Sequence, residues 1–294
     1  MNKLHLLLLP LIWLVGTTAE AQVPDAYYNV VASAGNASIG GEGATPRNAA
    51  VDRPVHVYYP GDGSDVPFGW DLDQHAHAEA FGGTNPQAVA TAAASATSPF
   101  GAAPTAIANA YATVIYFLHL QTTNATGLVW QPAQIPVLFH ALGEASGSAN
   151  AEVRLTNLST GASLFYDRAT GLKLPNPSPG FDRTLDFSVA PTDYLRVNLY
   201  ANAGAYDDTD FSTTDAIFSQ AIADPTFDFD QVAFDQYAAS LGQQTFNLGD
   251  FYAFEFSPTV VPNVVPEPAS GLLLLFGAAF CLRRSTLRTH ERGA

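Results

Sequence analysis

The residues best suited to chemistry form a short alternating segment with an acidic or histidine side chain at every second position. They are Asp71, Asp73, His75, His77 and Glu79. Because successive side chains of a strand point to opposite faces, an extended backbone would place all five on one side. A His-x-His pair on a strand is a zinc-binding geometry, so the pattern predicts a metal site at His75 and His77, with His119 and His140 as candidate further ligands. A polar face turned to solvent is the alternative.

A second group of potential metal ligands is the acidic run that begins at Asp207. The nearest members are Asp208, Asp210 and Asp215, and further aspartates follow as far as Asp235. Carboxylate oxygens are ligands that calcium prefers, so this run predicts a calcium ion that ties a loop. The run lacks the Asp-x-Asp-x-Asp-Gly spacing of an EF-hand, and a solvated acidic loop is the alternative.

Signals for catalysis are weaker than those for binding. The chain has no Gly-x-Ser-x-Gly sequence, and its one cysteine, Cys281, lies near the C-terminus. Neither a serine-hydrolase elbow nor a cysteine nucleophile is therefore indicated in the body of the chain. Some aromatic side chains are candidates for stacking on sugar rings, although they could equally belong to a core. They are Trp70, Trp130, Tyr58 and Tyr59.

The charge of the chain excludes some partners. Residues 22–265 contain seven basic residues against 24 acidic ones, a net charge of −17, whereas the whole chain carries −15. Binding to nucleic acid or to anionic lipid needs clustered lysine and arginine, so neither is expected as a partner. Polysaccharide, calcium and other proteins remain candidate partners.

The C-terminal end combines a proline-broken motif, an apolar run and a basic stop. In order, these are Pro266, Glu267 and Pro268, the uncharged segment 269–282, and Arg283 with Arg284. This order resembles the PEP-CTERM sorting signal of exported Gram-negative proteins. The resemblance implies that an exosortase recognises the Pro-Glu-Pro motif and that the tail is then removed.

The physical properties of the tail agree with that resemblance. At 1.5 Å per residue, a helix over 269–282 spans roughly 21 Å of a hydrocarbon core about 30 Å thick. The segment therefore predicts a short transmembrane sorting helix, with Arg283 and Arg284 on the cytoplasmic side. An ordinary membrane anchor that is never cut is the alternative.

The N-terminal end predicts export. Lys3 precedes the apolar segment 4–15, and Ala19-Glu20-Ala21 has the small-x-small form that signal peptidase cleaves. Cleavage would leave Gln22 as the first residue of the mature protein.

Between these ends the sequence predicts an all-β fold, an antiparallel β-sandwich or jelly roll. Short runs rich in Val, Tyr, Phe and Thr alternate with Gly, Pro, Asn and Asp, which is typical of strands and turns. The runs are 27–34, 55–59, 110–120, 135–141, 151–158, 184–189 and 194–201. The alanine-rich segments 88–96 and 105–112 are also predicted as strands, because alanine alternates there with Thr, Ser and Tyr and prolines flank them. One short helix is predicted near 230–241, capped by Asp230 and ended by Gly242, with Val232, Phe234 and Tyr237 on one face.

These signals together divide the chain into a signal peptide (1–21), one extracellular β-domain (22–257), a stalk (258–265) and the sorting tail (266–294). The mature domain contains no cysteine and is long enough to bury a core without disulfides. We expect an exported structural or interaction protein of the cell surface or extracellular matrix, processed by signal peptidase and exosortase. A carbohydrate-binding module for extracellular polysaccharide is the first alternative, and a secreted hydrolase is the second.

Overall fold

The computed structural model describes residues 23–35, 37–52, 55–59, 68–83, 86–97, 105–172, 177–207 and 217–260. These residues form 14 β-strands and one α-helix. The strands are β1 (Tyr27–Ala34), β2 (Ala37–Gly43), β3 (Arg47–Asp52), β4 (Val55–Tyr59), β5 (Phe68–Ala80), β6 (Ala88–Thr97), β7 (Ala106–Thr122), β8 (Ile135–Ser146), β9 (Ser148–Asn157), β10 (Ser163–Thr170), β11 (Gly180–Val189), β12 (Tyr194–Asp207), β13 (Ile217–Phe229) and β14 (Tyr252–Phe256). The helix, α1 (Gln231–Ser240), follows β13.

The strands form two seven-stranded sheets in which all pairs of strands are antiparallel. In the first sheet the order is β10-β9-β12-β7-β1-β2, and β14 pairs with the second half of β7. In the second sheet the order is β11-β8-β13-β6-β5-β3, and β4 pairs with the first half of β5. The predicted antiparallel all-β architecture with one helix is therefore confirmed, and both alanine-rich segments are strands.

The core of the first sheet changes in side-chain size along its strands. The inward side chains of β7 are, in order, Ala106, Ala108, Ala110, Ala112, Val114, Tyr116, Leu118 and Leu120, and all are buried. The register places Ala32 of β1 and Ala203 of β12 opposite Ala110, whereas Leu195 of β12 lies opposite Leu118. We name the level of residues 106–112 of β7 the alanine end and the level of residues 114–120 the aromatic end.

The second sheet has the same gradient. Ala221 of β13 pairs with Ala145 of β8, whereas Phe227 of β13 pairs with Phe139 of β8. The buried side chains of β6 at positions 88, 90, 92 and 94 are all alanine, and Cα atoms of β6 come within 8 Å of Cα atoms in β7 and β12 of the other sheet. Stacked sheets ordinarily lie about 10 Å apart, so methyl side chains allow an unusually close approach.

Hydrogen bonds join the two sheets directly where they approach closely. Ser219 of β13 is fully buried; its hydroxyl donates to the Gly204 carbonyl of β12 at 2.6 Å and accepts from the Ser148 amide of β9 at 2.8 Å. Gln74 of β5 is also buried, and its side-chain oxygen accepts from the Ile107 amide of β7 at 3.2 Å. A serine hydroxyl reaches the backbone of the opposite sheet only because the core is thin there.

Helix α1 forms as the sequence predicts, with one difference. The Asp230 carboxylate accepts from the Ala233 amide at 2.9 Å, which caps the first turn. Gly242 has φ +66 and ends the helix, because glycine adopts left-handed backbone without steric cost. Phe234 is buried as expected, but Val232 is 68% exposed, so the expectation that Val232 shares the buried face is wrong.

The C-terminal described residues remain part of the sandwich beyond β14. The Ser257 hydroxyl accepts from the Phe117 amide at 2.9 Å, and the Gly83 amide donates to the Thr259 carbonyl at 2.9 Å. Val260 is buried. These contacts tie residues 257–260 to β7 and to the segment that follows β5.

Several predicted features lie outside the described residues. They are the signal peptide with its cleavage site (Ala19, Ala21 and Gln22), the sorting motif (Pro266, Glu267 and Pro268) and the apolar segment with Arg283 and Arg284. Within the ranges that the structure does describe, no helix is long and apolar enough to cross a membrane.

Candidate functional site

The outer face of the first sheet carries tyrosine and asparagine side chains on three adjacent strands. We name it the tyrosine–asparagine face; its residues are Asn29 of β1, Asn109 and Tyr111 of β7, and Asn198, Tyr200 and Asn202 of β12. The register places Tyr111 opposite Asn202, and Thr113 of β7 opposite both Tyr200 and Asn29. Directly opposite residues of paired strands project from the same side of a sheet, so these side chains form one continuous surface.

The two tyrosine rings of this face are held in place by neighbouring amides. The ring centroids of Tyr111 and Tyr200 are 5.4 Å apart in an edge-to-face arrangement. The side-chain amide of Asn29 donates to the Tyr111 hydroxyl at 3.2 Å, and that of Asn202 donates to the Tyr200 hydroxyl at 3.0 Å. Each phenol oxygen therefore acts as an acceptor and keeps its own hydrogen for donation.

Other polar atoms of the same surface lack a protein partner. The Thr113 hydroxyl and the Asn198 side-chain oxygen are enclosed, yet neither makes a hydrogen bond within the described part of the chain. The Nε atom of Arg196, two residues before Asn198 on β12, is also enclosed and also makes no hydrogen bond with the described residues. Enclosed polar groups are nearly always paired in folded proteins, but these three atoms are closed to solvent, so the hydrogen bonds to a bound molecule must come from the exposed amide and phenol groups of the face.

Side-chain size is inverted across the first sheet beside the alanine end. The inward residues Ala110, Ala112 and Ala201 are fully buried, whereas their outward neighbours Tyr111 and Tyr200 carry large aromatic rings. Large apolar side chains are ordinarily placed in the core. The rings of Tyr111 and Tyr200 project from the outer side of the sheet, so packing in the core does not explain why these positions carry large side chains.

The chemistry of the face suits a hydroxylated, extended ligand. Aromatic rings stack on the apolar faces of sugar rings, and a side-chain amide can donate to one hydroxyl while it accepts from another. The level of Asn109 and the level of Asn198, which lies opposite Ile115, are six residues apart along β7. At about 3.4 Å per residue, the face is about 20 Å long, enough for several sugar units of one chain.

The predicted zinc site lies on the outer face of the second sheet. His75 and His77 both project outward from β5, and each pairs with a carboxylate of its own strand, Asp73 at 2.8 Å and Glu79 at 3.1 Å. Across the residues that the structure describes, no group of three potential ligands is close enough to hold a metal.

The candidate further ligands are not brought to this pair. His119 projects from the outer face of the other sheet and pairs with Glu255 at 3.3 Å, and His140 of β8 pairs with Asp182 of β11 at 2.7 Å. The zinc prediction at His75 and His77 stays without a third ligand from the described residues.

The predicted calcium site is described only at its edge. Asp207 is the last residue of β12, and Asp208, Asp210 and Asp215 lie outside the described residues. Later aspartates of the run have local roles: Asp230 caps α1, and Asp235 accepts from the Gln231 side chain at 2.8 Å. The calcium prediction therefore rests on Asp207, Asp208, Asp210 and Asp215 alone.

Of the aromatic residues proposed for sugar stacking, Trp130 has a packing role. Its ring stacks on buried Phe234 with centroids 5.9 Å apart, and its indole nitrogen donates to the Gln244 carbonyl at 2.8 Å. The side chains of Trp70, Tyr58 and Tyr59 lie outside the described part of the chain. The structure instead gathers Tyr111 and Tyr200 on an outer face, and no pattern within a single segment of the sequence predicts that pair as a site.

Scans of the chain against protein-family models, curated proteins and solved structures found no match. The resemblance of the C-terminal tail to PEP-CTERM sorting signals therefore stays a prediction.

Proposed function

We propose that the chain is an exported, non-catalytic protein of the cell envelope or extracellular matrix that binds polysaccharide through its tyrosine–asparagine face. Export and sorting are supported by the N-terminal cleavage signal and by the Pro-Glu-Pro tail, which implies exosortase processing. Polysaccharide binding is supported by one observation above all. Large rings and amides lie on the outer surface of a sheet whose core side carries only methyl groups at that level.

The face would bind its ligand by two kinds of contact. The rings of Tyr111 and Tyr200 would lie against the apolar faces of successive sugars, and the asparagine amides would bind their hydroxyl groups. The amide bonds to the two phenol oxygens fix the rings before binding. Less rotamer entropy is then lost when the complex forms.

Affinity gel electrophoresis of the full-length protein against extracted matrix polysaccharide tests the proposal. Migration of the wild-type protein should slow as polysaccharide is added to the gel. The double variant Tyr111→Ala/Tyr200→Ala should bind about tenfold more weakly or worse, since each lost aromatic contact costs roughly 1 kcal/mol.

A matched control is Phe218→Ala, which removes an aromatic ring that is 48% exposed on the outer face of the second sheet. Its retardation should equal that of the wild type. Equal retardation of the wild type and the double tyrosine variant would rule out this face as the binding surface, and no retardation of the wild type would rule out matrix polysaccharide as the ligand.

A further inference from the structure

The outer face of the first sheet gathers three of the few basic residues of the chain. Residues 22–265 contain only seven, yet Arg154 of β9, Arg168 of β10 and Arg196 of β12 all occupy outward positions on three adjacent strands. Among the described outward positions of these strands, Glu152 of β9 is the only carboxylate. A domain with a net charge of −17 therefore has a local excess of positive charge on this one surface.

Two of these arginines have no carboxylate partner. Arg168 pairs with Glu152, and its Nε atom lies 3.4 Å from a carboxylate oxygen. Neither Arg154 nor Arg196 takes part in an ion pair within the described part of the chain. The exposed guanidinium group of Arg154 lies over the ring of Tyr166, 5.0 Å from the ring centroid. This cation–π contact holds the guanidinium group in place without neutralising its charge.

Arg154 and Arg196, which we name the arginine pair, project from the same side of the sheet. The register places Arg154 directly opposite Asn198 and places Arg196 opposite Thr156, so the two arginines are diagonal neighbours on paired strands. Diagonal neighbours are about 7–8 Å apart, a separation that long side chains can span. One anionic group can therefore contact the exposed Arg154 and the half-buried Arg196 together, beside Asn198.

The position of the arginine pair indicates the class of ligand. Asn198 belongs to the tyrosine–asparagine face and lies at one end of it, so a molecule that follows this face reaches the arginine pair. A planar guanidinium group binds a carboxylate through two parallel hydrogen bonds. Sugars that carry carboxylates offer apolar ring faces to the tyrosines and an anionic group to the arginines. Nucleic acid is disfavoured, because neutralising its phosphates requires many more basic residues.

We propose that the polysaccharide bound by the tyrosine–asparagine face is acidic, and that the arginine pair binds a carboxylate of one of its sugars. This inference rests on the proposed function, because it names the ligand class of the same face. The negative charge of the domain does not prevent such binding. At physiological salt the Debye length is about 8 Å, so distant carboxylates are largely screened and the adjacent arginines dominate.

Surface plasmon resonance of the full-length protein on immobilised matrix polysaccharide tests the proposal. The extracted polysaccharide is used in its native form and after chemical reduction of its carboxyl groups to alcohols. The wild type should bind the native form about tenfold more tightly than the reduced form, as expected for charge-assisted hydrogen bonds. The double variant Arg154→Gln/Arg196→Gln should lower this ratio to about one. Arg183→Gln, the same change at an exposed arginine of β11, should leave it unchanged.

A single variant keeps the test decisive if the double variant does not fold. Arg154 is exposed, so Arg154→Gln should leave the fold intact, and its ratio should fall to about three. An equal affinity of the wild type for the two forms would overturn the proposal. An unchanged ratio in Arg154→Gln and, where it folds, in the double arginine variant would overturn it as well.

Failure of this inference is distinct from failure of the proposed function. Tyr111→Ala/Tyr200→Ala should weaken binding to both forms by the same factor and so keep the wild-type ratio. If the wild type binds both forms equally and this tyrosine variant binds both more weakly, the polysaccharide face stands and the arginine pair is not part of it. If the wild type binds neither form, the proposed function is refuted and the inference with it.

Discussion

Replacing Ala110 with leucine tests whether the close approach of the sheets is essential to the fold. Ala110 lies on the central strand β7, is 1% exposed, and has alanines opposite it on both neighbouring strands. Overpacking a core typically costs about 1–3 kcal/mol because neighbouring side chains must change rotamer. The alanines beside Ala110 have no rotamers to change, so the strain must move backbone. We therefore expect a loss of about 3 kcal/mol or more in the free energy of unfolding.

A size exchange along one strand sharpens this test. Leu118 lies on the same face of β7 as Ala110, and Leu118→Ala should cost about 2–5 kcal/mol because it leaves a cavity. The sites are eight residues apart, about 27 Å along the strand, so the two costs should add. The variant Ala110→Leu/Leu118→Ala keeps the composition of the core and should still lose about 5–8 kcal/mol, a large part of the roughly 5–15 kcal/mol typical of a domain.

Urea unfolding followed by circular dichroism measures both losses, as a shift of the midpoint at constant slope. Ala93→Leu is the control, because Ala93 lies on the outer side of β6, and its stability should change by no more than about 0.5 kcal/mol. If Ala110→Leu is also within about 0.5 kcal/mol of the wild type, the thin core tolerates a large side chain. The close approach of the sheets would then not be what restricts the alanine end to methyl groups.

Three more perturbations follow from the structure and the tail. Ser219→Ala should lower the free energy of unfolding by about 2–4 kcal/mol, since it leaves a carbonyl of one strand and an amide of another buried without their shared partner. Urea unfolding measures this loss. A loss below about 0.5 kcal/mol would contradict the cross-sheet bond. Burial, assisted by a nearby carboxylate, raises the pKa of Tyr116 well above 10.0. The folded protein then keeps a proton that the unfolded chain releases above about pH 10, so the free energy of unfolding should fall as pH rises past that value. It should fall less steeply in Tyr116→Phe. Identical pH profiles of the two proteins would refute the burial of an ionisable phenol at this position. Replacing Glu267 and Pro268 with alanine should leave export intact but keep the Cys281-containing tail attached, as mass spectrometry of the surface protein would show. Wild-type protein that retains residues 271–294 in a host with an exosortase would refute the sorting prediction.

Much of the fold could be predicted because strand patterning is a local property. The alternation of Leu195, Val197 and Leu199 with polar residues indicates one buried face, and these side chains are buried. The alternation of alanine with Thr, Ser and Tyr predicts strands against the helical propensity of alanine, and the structure shows why propensity fails there. Each inward methyl group packs against a second sheet, and this tertiary packing outweighs the intrinsic preference.

Some strands escaped prediction because their local signals are weak. β2 contains three glycines in seven residues, a composition that ordinarily marks loops. It is a strand because it pairs with β1, and the Arg47 side chain lies against its backbone. β13 contains Pro225 and two aspartates, Asp224 and Asp228, and in the sequence it belongs to the acidic run. Its strand conformation depends on pairing with β8 and β6, partners distant in sequence.

The candidate face was only half visible in the sequence for a related reason. The polar alternation of β12 identifies Asn198 and Asn202 as outward residues, but nothing local says that Asn29 and Tyr111 lie beside them. That juxtaposition depends on the register of β12 with β7 and of β7 with β1. The spacing of histidine and aspartate residues instead predicted a metal site on a strand of the second sheet, because metal-ligand spacing can be recognised within a single strand.

The inverted distribution of side-chain size separates stability from the proposed polysaccharide binding in this protein. In an ordinary sandwich the large rings hold the sheets together, so removing one lowers stability and any bound state together. In this chain the alanine end is held by methyl packing and by bonds such as those of Ser219, whereas Tyr111 and Tyr200 face outward. Their removal should therefore change the melting temperature little while it weakens polysaccharide binding. A core of methyl groups is tolerable at the alanine end because the aromatic end contributes large buried side chains such as Phe139 and Leu118. The outward positions at the alanine end can therefore carry side chains that the core does not need.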